Sequence, residues 1–293
     1  RSRPGRAVLL FGVSLFAALL CGLAFHVFFY FRTTLRPHIE NVFPEERLIA
    51  RPAKTDMAFL RLETGRIDDE VLARVRAVEG VGAVHPQMPA EFPLSAEIII
   101  GRLDYGFQSD VVIHGVPEAL IVEDLPPNAD FGWKPGSGDP VPVAASAYFL
   151  DMYNMGLAES ANLPKLSPRA AIGREFDLLL GQSVIVGGGS TSREVRAKIV
   201  GLTSDPLLVG LAAPIEAVAE WNAEFAPNWE PRYSVLHVDA APEFNPATVK
   251  ARLDEMGLDV TRVAENLRTA RQILNGAEIG LAVAMAIILF LAG

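Results

Sequence analysis

Apolar residues fall along this chain in three regimes. Residues 7–31 (AVLLFGVSLFAALLCGLAFHVFFYF) form one apolar run without Asp, Glu, Lys or Arg. About 20 apolar residues cross a bilayer, so the run predicts a transmembrane helix with room to tilt. Residues 33–275 break into short apolar stretches separated by polar ones, the pattern of a water-soluble domain. A second apolar run (AEIGLAVAMAIILFLAG) begins at Ala277. From Ile279 onward it holds about 15 residues, or roughly 22 Å of helix, against a hydrocarbon core of about 30 Å. The chain also starts without Met. The expectation is an internal stretch of a longer membrane protein: one span, a large external domain and the beginning of a second span.

Within the middle region, residues 48–50 and 58–62 predict short strands. Residues 67–78 (IDDEVLARVRAV) carry Val71, Val75 and Val78 on one face of a helix, started by Asp68 or Asp69 and stopped by Gly80. Residues 81–85 predict a strand ended by Pro86, and residues 97–100 and 110–114 predict two more, the last closed by Gly115-Val116-Pro117. A Gly- and Pro-rich excursion covers residues 125–140. A second block begins at residues 141–145 and 148–153. Residues 183–186 and 195–201, around Gly187-Gly188-Gly189-Ser190, read as a hairpin. From Thr261 the pattern turns helical and runs toward the second span as a stalk, with Glu278 expected at the headgroup level.

Residues 71–81 (VLARVRAVEGV) resemble residues 248–258 (TVKARLDEMGL). Each copy follows a predicted strand (59–62; 235–238) and precedes another. Two strand–helix–strand units result, one early and one late. The simplest architecture is an α+β fold: a split βαβ-type subdomain made from both ends, with a β-rich subdomain at about 116–191 inserted between them. The expected layout is residues 1–35 for the cytoplasmic N-terminus and first span, 36–270 for the external core domain, and 271–293 for the stalk and the start of the second span.

The net charge of −9 argues against nucleic acid, and no basic stripe with interleaved aromatics is present. Arg1, Arg3 and Arg6 precede the first span, which places the N-terminus in the cytoplasm and the middle outside it. A cleaved signal peptide has a shorter apolar region with a small-residue cleavage site. Here Phe28, Phe29, Tyr30 and Phe31 follow the run, and Leu20 before Cys21 is not the small residue that a lipoprotein site needs. Cys21 is the single cysteine and lies within the run, so no intrachain disulfide forms and the external domain is held by packing alone.

No catalytic constellation is visible. His26, His38, His85, His114 and His237 are scattered without metal-ligand spacing, and His114 and His237 fall at strand positions where a hydrogen-bonded structural role is the default. Gly187-Gly188-Gly189-Ser190 lacks the Gly-Lys-Ser/Thr ending of a phosphate loop. Asp68-Asp69 is explained by the helix start, where negative charge meets the helix dipole. Phe131 and Trp133, in the Gly/Pro-rich excursion, are the candidate partner-contact residues, with packing onto their own domain as the alternative.

Several ordered segments resemble the MacB/FtsX-like permeases, membrane subunits of ABC transporters. Residues 67–86 (IDDEVLARVRAVEGVGAVHP) are similar to that family's early helix and the strand after it, and residues 110–118 (DVVIHGVPE) to its strand ending in a Gly-Val turn. Residues 170–186 (AAIGREFDLLLGQSVIV) are similar to its apolar-Gly helix, Leu-Gly and strand entry, and residues 199–202 to the strand that follows. Residues 151–165 add length before the Ile172-Gly173 match, and Asp177 replaces a small or apolar residue in the expected helix. The resemblance implies a multi-pass inner-membrane permease with a periplasmic domain split into two parts. It also implies a homo- or heterodimer, a bilayer environment, and an ABC ATPase partner that binds ATP and Mg outside this stretch. A periplasmic adaptor or carrier protein is a further implied partner, and the cargo would be lipophilic or peptidic. No enzyme activity, cofactor or metal is expected within these residues. The alternative is the ligand-sensing ectodomain of a two-span chemoreceptor or histidine kinase. Such ectodomains usually begin with a long helix, which Pro37, Pro44 and Pro52 disfavour.

Overall fold

In the computed structural model the described residues are 47–57, 60–63, 65–100, 105–158, 165–187, 191–205 and 207–262, with isolated positions in the two terminal segments (22, 23, 25, 26, 28, 29, 32, 33, 272, 275, 276, 278–280, 282 and 283). The chain forms two compact units, Glu46–Arg262 and the terminal segments Arg1–Glu45 with Val263–Gly293.

The strands of the larger unit are β1 (Arg47–Pro52), β2 (Lys54–Met57), β3 (Leu60–Glu63), β4 (Val81–Pro89), β5 (Leu94–Ile100), β6 (Tyr105–Asp110), β7 (Ile113–Val116), β8 (Val141–Ser146), β9 (Glu175–Leu180), β10 (Arg193–Thr203), β11 (Leu211–Pro214), β12 (Val235–Ala240) and β13 (Leu258–Arg262). Its helices are α1 (Asp69–Arg76), α2 (Glu118–Ile121), α3 (Ala147–Met152), α4 (Pro168–Ala171), α5 (Ile215–Phe225) and α6 (Pro246–Glu255). Eleven of the strands make one mixed sheet in the order β13-β1-β12-β4-β7-β11-β8-β10-β9-β5-β6.

At one end of the sheet, β13, β1, β12 and β4 pair antiparallel to their neighbours. The connection from β1 through α1 to β4 straddles β12, and the connection from β12 through α6 to β13 straddles β1. These are two interleaved split β-α-β units. Local chemistry starts both helices. Asp68 accepts from the Val71 N–H at 3.0 Å, and Asn245 accepts from the Ala247 N–H at 2.9 Å with Pro246 following. Leu72 and Val75 of α1 and Val249 and Leu253 of α6 are buried in the same core as Leu48, Leu236 and Val238 of the sheet. α5 adds Val218 and Trp221 to that core. A smaller second core holds Val116, Ile121, Phe131, Ala144, Leu208 and Ala212. Alternation along β8 and β11 separates the two: Val143, Ala145, Leu211 and Ala213 belong to the first, Ala144 and Ala212 to the second.

Several elements differ from their sequence expectation. β3, expected as the strand before α1, pairs only with β2 in a separate two-stranded sheet, and β1 takes its place. β4 does not end at Pro86 but continues to Pro89. Over Val81–Gln87 it pairs only with β12, and β7 joins at Met88, so a proline costs no ladder bond on the open side. The strand expected at 110–114 is two strands, because the chain changes partner from β5 at Asp110 to β11 at Ile113. Residues 175–180, including Asp177, form β9 rather than a helix. Phe176, Leu178 and Leu180 point inward at a spacing of two, and β9 supplies the antiparallel partner of β10. Residues 183–186 are a turn, not a strand. Thr261 and Arg262 belong to β13 rather than to a helix.

Residues 116–191, expected as an insertion, contribute β8 and β9. These pair with β10 and β11 from later in the chain and with β5 from earlier, and the sheet runs on through them. The expected spans, Pro37, Pro44 and the expected stalk lie almost wholly outside the described residues. Among the described residues no helix is long and apolar enough to cross a membrane.

Candidate functional site

Phe131 and Trp133 both pack onto their own domain. Phe131 is 1% exposed and fills the second core against the small side chains Ala144 and Ala212, and Trp133 packs against the main core. The Gly/Pro-rich excursion thus folds back on its own domain, because two large aromatics gain more from burial than a loop loses by being pinned.

Exposed apolar side chains gather elsewhere. The turn after β9 presents Val184 at 55%, and Ile185 and Val186 each at 84% exposure. Its shape is held by polar bonds. The Ser183 hydroxyl donates to Asp110 at 2.6 Å and accepts from the Ile185 and Val186 N–H groups, and Asp110 also accepts from the Val184 N–H at 2.6 Å. Those bonds from Ser183 and Val184 hold the Asp110 carboxyl below its ordinary range. Upstream, Gly181 turns the chain at φ 78°, and a Cβ there would lie 2.3 Å from the Thr191 carbonyl oxygen. Residues 183–186 carry a strand-like run of apolar residues, Val184-Ile185-Val186, although they form this turn. The local signal was Ser183, whose hydroxyl caps the next backbone N–H groups as such turns do.

A second exposed apolar face lies on α3 and the π-turn after it (Tyr153–Leu157), where Phe149, Met152 and Met155 face outward. Asn154 anchors this excursion: its amide donates to the Leu166 carbonyl at 2.8 Å and accepts from the Leu166 N–H at 2.7 Å.

Beneath the loop between β10 and β11 lies a polar cluster on the sheet. Arg47 donates to Asp239 at 2.8 Å, and His85 Nε2 lies 3.3 Å from the same carboxylate. His237 is fully buried, with Nε2 3.2 Å from Gln87 Oε1 and Nδ1 3.9 Å from Asp205 Oδ2. Burial, reinforced by the charges of Arg47 and His85, pushes the His237 imidazole down to about 3. Burial pushes the Asp205 carboxyl up against the opposing Leu207 N–H bond and Arg47. Asp239 is half-buried, which alone would raise it, but hydrogen bonds from His85 and Arg47 outweigh burial and hold it well below the carboxylate range. His114, in β7, is lowered chiefly by burial. Among the described residues no group of three or more His, Cys, Asp or Glu side chains is placed to hold a metal ion.

In the terminal unit, Arg32 and Glu278 form an ion pair at 3.7 Å. Glu278 thus has a partner on the other terminal segment. Leu23, Phe25, Phe29, Ile279 and Val283 are exposed there.

Residues 52–262 match the model of the PCD-like family, described as a probable transporter periplasmic core domain. No curated protein matches the sequence at a significant level. Among solved structures, the periplasmic region of MacB from Actinobacillus actinomycetemcomitans is similar at 13% identity and a TM-score of 0.44, over 84% of this chain and 97% of that one. The extracellular domain of the noncanonic ABC-type transporter YknZ from Gram-positive bacteria is similar at 16% identity and a TM-score of 0.37, over 73% and 98%. A permease-protein domain from Porphyromonas gingivalis is similar at 14% identity and a TM-score of 0.38, over 77% and 92%.

Proposed function

Because the chain belongs to the PCD-like family of transporter periplasmic core domains, in keeping with its resemblance to the MacB/FtsX-like permeases, we propose that it is the extracytoplasmic domain and flanking membrane helices of an ABC-transporter permease. In this reading the residues 46–262 unit stands outside the inner membrane. A separate or fused ATPase binds ATP and Mg and drives the flanking helices, and the domain converts that motion into export or extraction of a lipophilic or peptidic cargo. The chain itself carries no catalytic role; its task is mechanical.

The observation that carries the proposal is the family match over residues 52–262. Two features of the molecule support it. The terminal segments bring Arg32 to Glu278 while leaving Phe25, Phe29, Ile279 and Val283 exposed. Apolar side chains that face outward on paired helices suit a lipid surrounding, with the ion pair at its border. The braced turn at Val184–Val186 is a rigid apolar tip of the kind that a periplasmic adaptor or carrier protein would contact.

Thiol labelling in intact cells tests the reading. In a Cys21→Ser background, Ile185→Cys should react with a membrane-impermeant maleimide without permeabilisation. Labelling only after the membrane is opened would place the domain in the cytoplasm and sink the proposal.

A further inference from the structure

The eleven-stranded sheet has a seam. β4 meets β7 at Met88↔Gly115 and Pro89↔His114, with one further bond just past β4 from the Ala90 N–H to the Ile113 carbonyl at 3.0 Å, and proline brings no N–H to the second of these pairs. This short ladder joins the β13-β1-β12-β4 part of the sheet to all the strands beyond it. The β11–β8 ladder further along is as short, Leu211↔Ala145 and Ala212↔Ala144, with the Ser146 N–H donating to the Gly210 carbonyl at 2.8 Å beside it.

Two buried side-chain amides bracket the seam. Gln87, 2% exposed, sits one residue before it. Its Nε2 donates to the Leu207 carbonyl at 3.1 Å, in the loop between β10 and β11. Its Oε1 therefore faces His237 Nε2 of β12 at 3.2 Å, which fixes that nitrogen as the protonated one. Leu207 is in turn held by Asp205, whose carboxylate accepts the Leu207 N–H at 2.8 Å. Asp205 N–H donates to Thr203 Oγ1, and the Thr203 hydroxyl donates to Asp124 at 2.6 Å. Asn222, fully buried on α5, grips the other side. Its Nδ2 donates to the Pro89 carbonyl at 2.9 Å, and its Oδ1 accepts the Glu91 N–H at 2.8 Å.

The two grips come from opposite faces of the sheet. α5 belongs to the main core with Val218 and Trp221, whereas the β10–β11 loop puts Leu208 into the second core. Gln87 uses its donor and its acceptor on two different elements, and Asn222 uses both of its own on the end of β4, tying it to α5. Such a site is costly to leave half-made, since a buried unpaired amide group loses its water bonds and regains nothing.

We infer that Gln87 and Asn222 are positioning residues that clamp the β4–β7 seam from both faces, so that the two parts of the sheet move as one rigid lever. The use of such a lever in transport rests on the proposed function; its rigidity does not, and the test reads distances alone.

Pulsed electron-spin distances in the full chain, in a Cys21→Ser background, measure it. Labels at Glu243→Cys and at Glu118→Cys, an exposed position just after β7, span the seam without crossing the β11–β8 ladder, and labels at Glu243→Cys and Asp259→Cys stay on one side of it. The cross-seam distribution should be single and narrow, and should broaden in Gln87→Leu and in Asn222→Leu while the same-side distance holds. Gln87→Glu separates clamping from mere packing. It keeps an oxygen for His237 but sets a second one against the Leu207 carbonyl. The groups facing it are His237, His85, Asp205, Asp239 and Arg47. Its cross-seam distribution should be broad at pH 8 and narrow again once the new carboxyl is protonated, with no such change in the parent at the same pH values. Should the leucine variants also lose the same-side distance, the Gln87→Glu response decides. A cross-seam distribution already broad in the parent, or a Gln87→Glu variant that stays narrow at every pH, would overturn the inference.

Discussion

Ser183 and Asp110, 73 residues apart in sequence, are joined by a 2.6 Å hydrogen bond that builds the exposed apolar turn at Val184–Val186. The bond is made by a carboxylate and not by hydrophobic burial, so the tip keeps its shape while its apolar side chains face outward. Asp110→Ala should leave the sheet intact and raise hydrogen exchange at the Val184 and Ile185 amides several-fold, with β9 and β10 unchanged. Because the folded Asp110 carboxyl is depressed, its contribution is present above the ordinary carboxylate range and is lost only as the pH falls through its lowered value. The protection should therefore be flat from pH 5 to pH 8.

His237 makes stability depend on pH in a set direction. Its folded value of about 3 lies below the ordinary 6.5. The unfolded chain therefore binds a proton first, and the contribution present above pH 6.5 is lost as the pH falls toward 3. The slope approaches about 1.4 kcal/mol per pH unit, or roughly 2 kcal/mol between pH 6.5 and pH 5. Asp205 is raised and works the other way, contributing below the ordinary carboxylate range and losing that contribution as the pH rises through its folded value. Urea unfolding should show the parent losing stability over this interval, and His237→Gln should flatten the slope whatever its absolute stability.

Two glycines with φ above zero should respond differently to alanine. At Gly173, φ is 86° and nothing lies within 4 Å of the added Cβ, so only the left-handed backbone cost of about 1–2 kcal/mol applies. At Gly181 the Cβ also meets the Thr191 carbonyl oxygen, two residues before β10. Gly181→Ala should destabilise by roughly 2–4 kcal/mol, clearly more than Gly173→Ala, in the same unfolding measurement.

The Arg32–Glu278 pair predicts proximity more than energy. Arg32 is largely exposed, so removing either charge should change stability by no more than about 1 kcal/mol. A short bifunctional maleimide should cross-link Arg32→Cys to Glu278→Cys within one chain in a Cys21→Ser background. Failure to cross-link would separate the two terminal segments.

Elements whose signals are local were legible in the sequence. Asp68 ahead of an apolar stripe marked α1, the similarity of residues 248–258 to residues 71–81 marked α6, and Gly80 marked the turn between α1 and β4, where it adopts φ 93°. What stayed hidden depends on partners far away. β9 reads as Phe176-Asp177-Leu178-Leu179-Leu180, where Leu179 masks the alternation that pairing with β5 and β10 reveals. Phe131 looked like a loop aromatic because Ala144 and Ala212, the small residues that make room for it, belong to other strands. Gln87 finds its partners 120 and 150 residues away, and no local pattern announces such a site.

If an ATPase moves this domain, as proposed, nucleotide should change the exposure of its apolar turn. The most direct measurement is the labelling rate of Ile185→Cys, in a Cys21→Ser background, on the full protein purified from its native membrane with whatever subunits accompany it. The rate would be compared without nucleotide and after trapping with ATP and vanadate. A vanadate-sensitive ATPase should copurify, and trapping should change the rate. Absence of any ATPase, together with equal rates in both states, would contradict the proposed function and favour a ligand-sensing ectodomain.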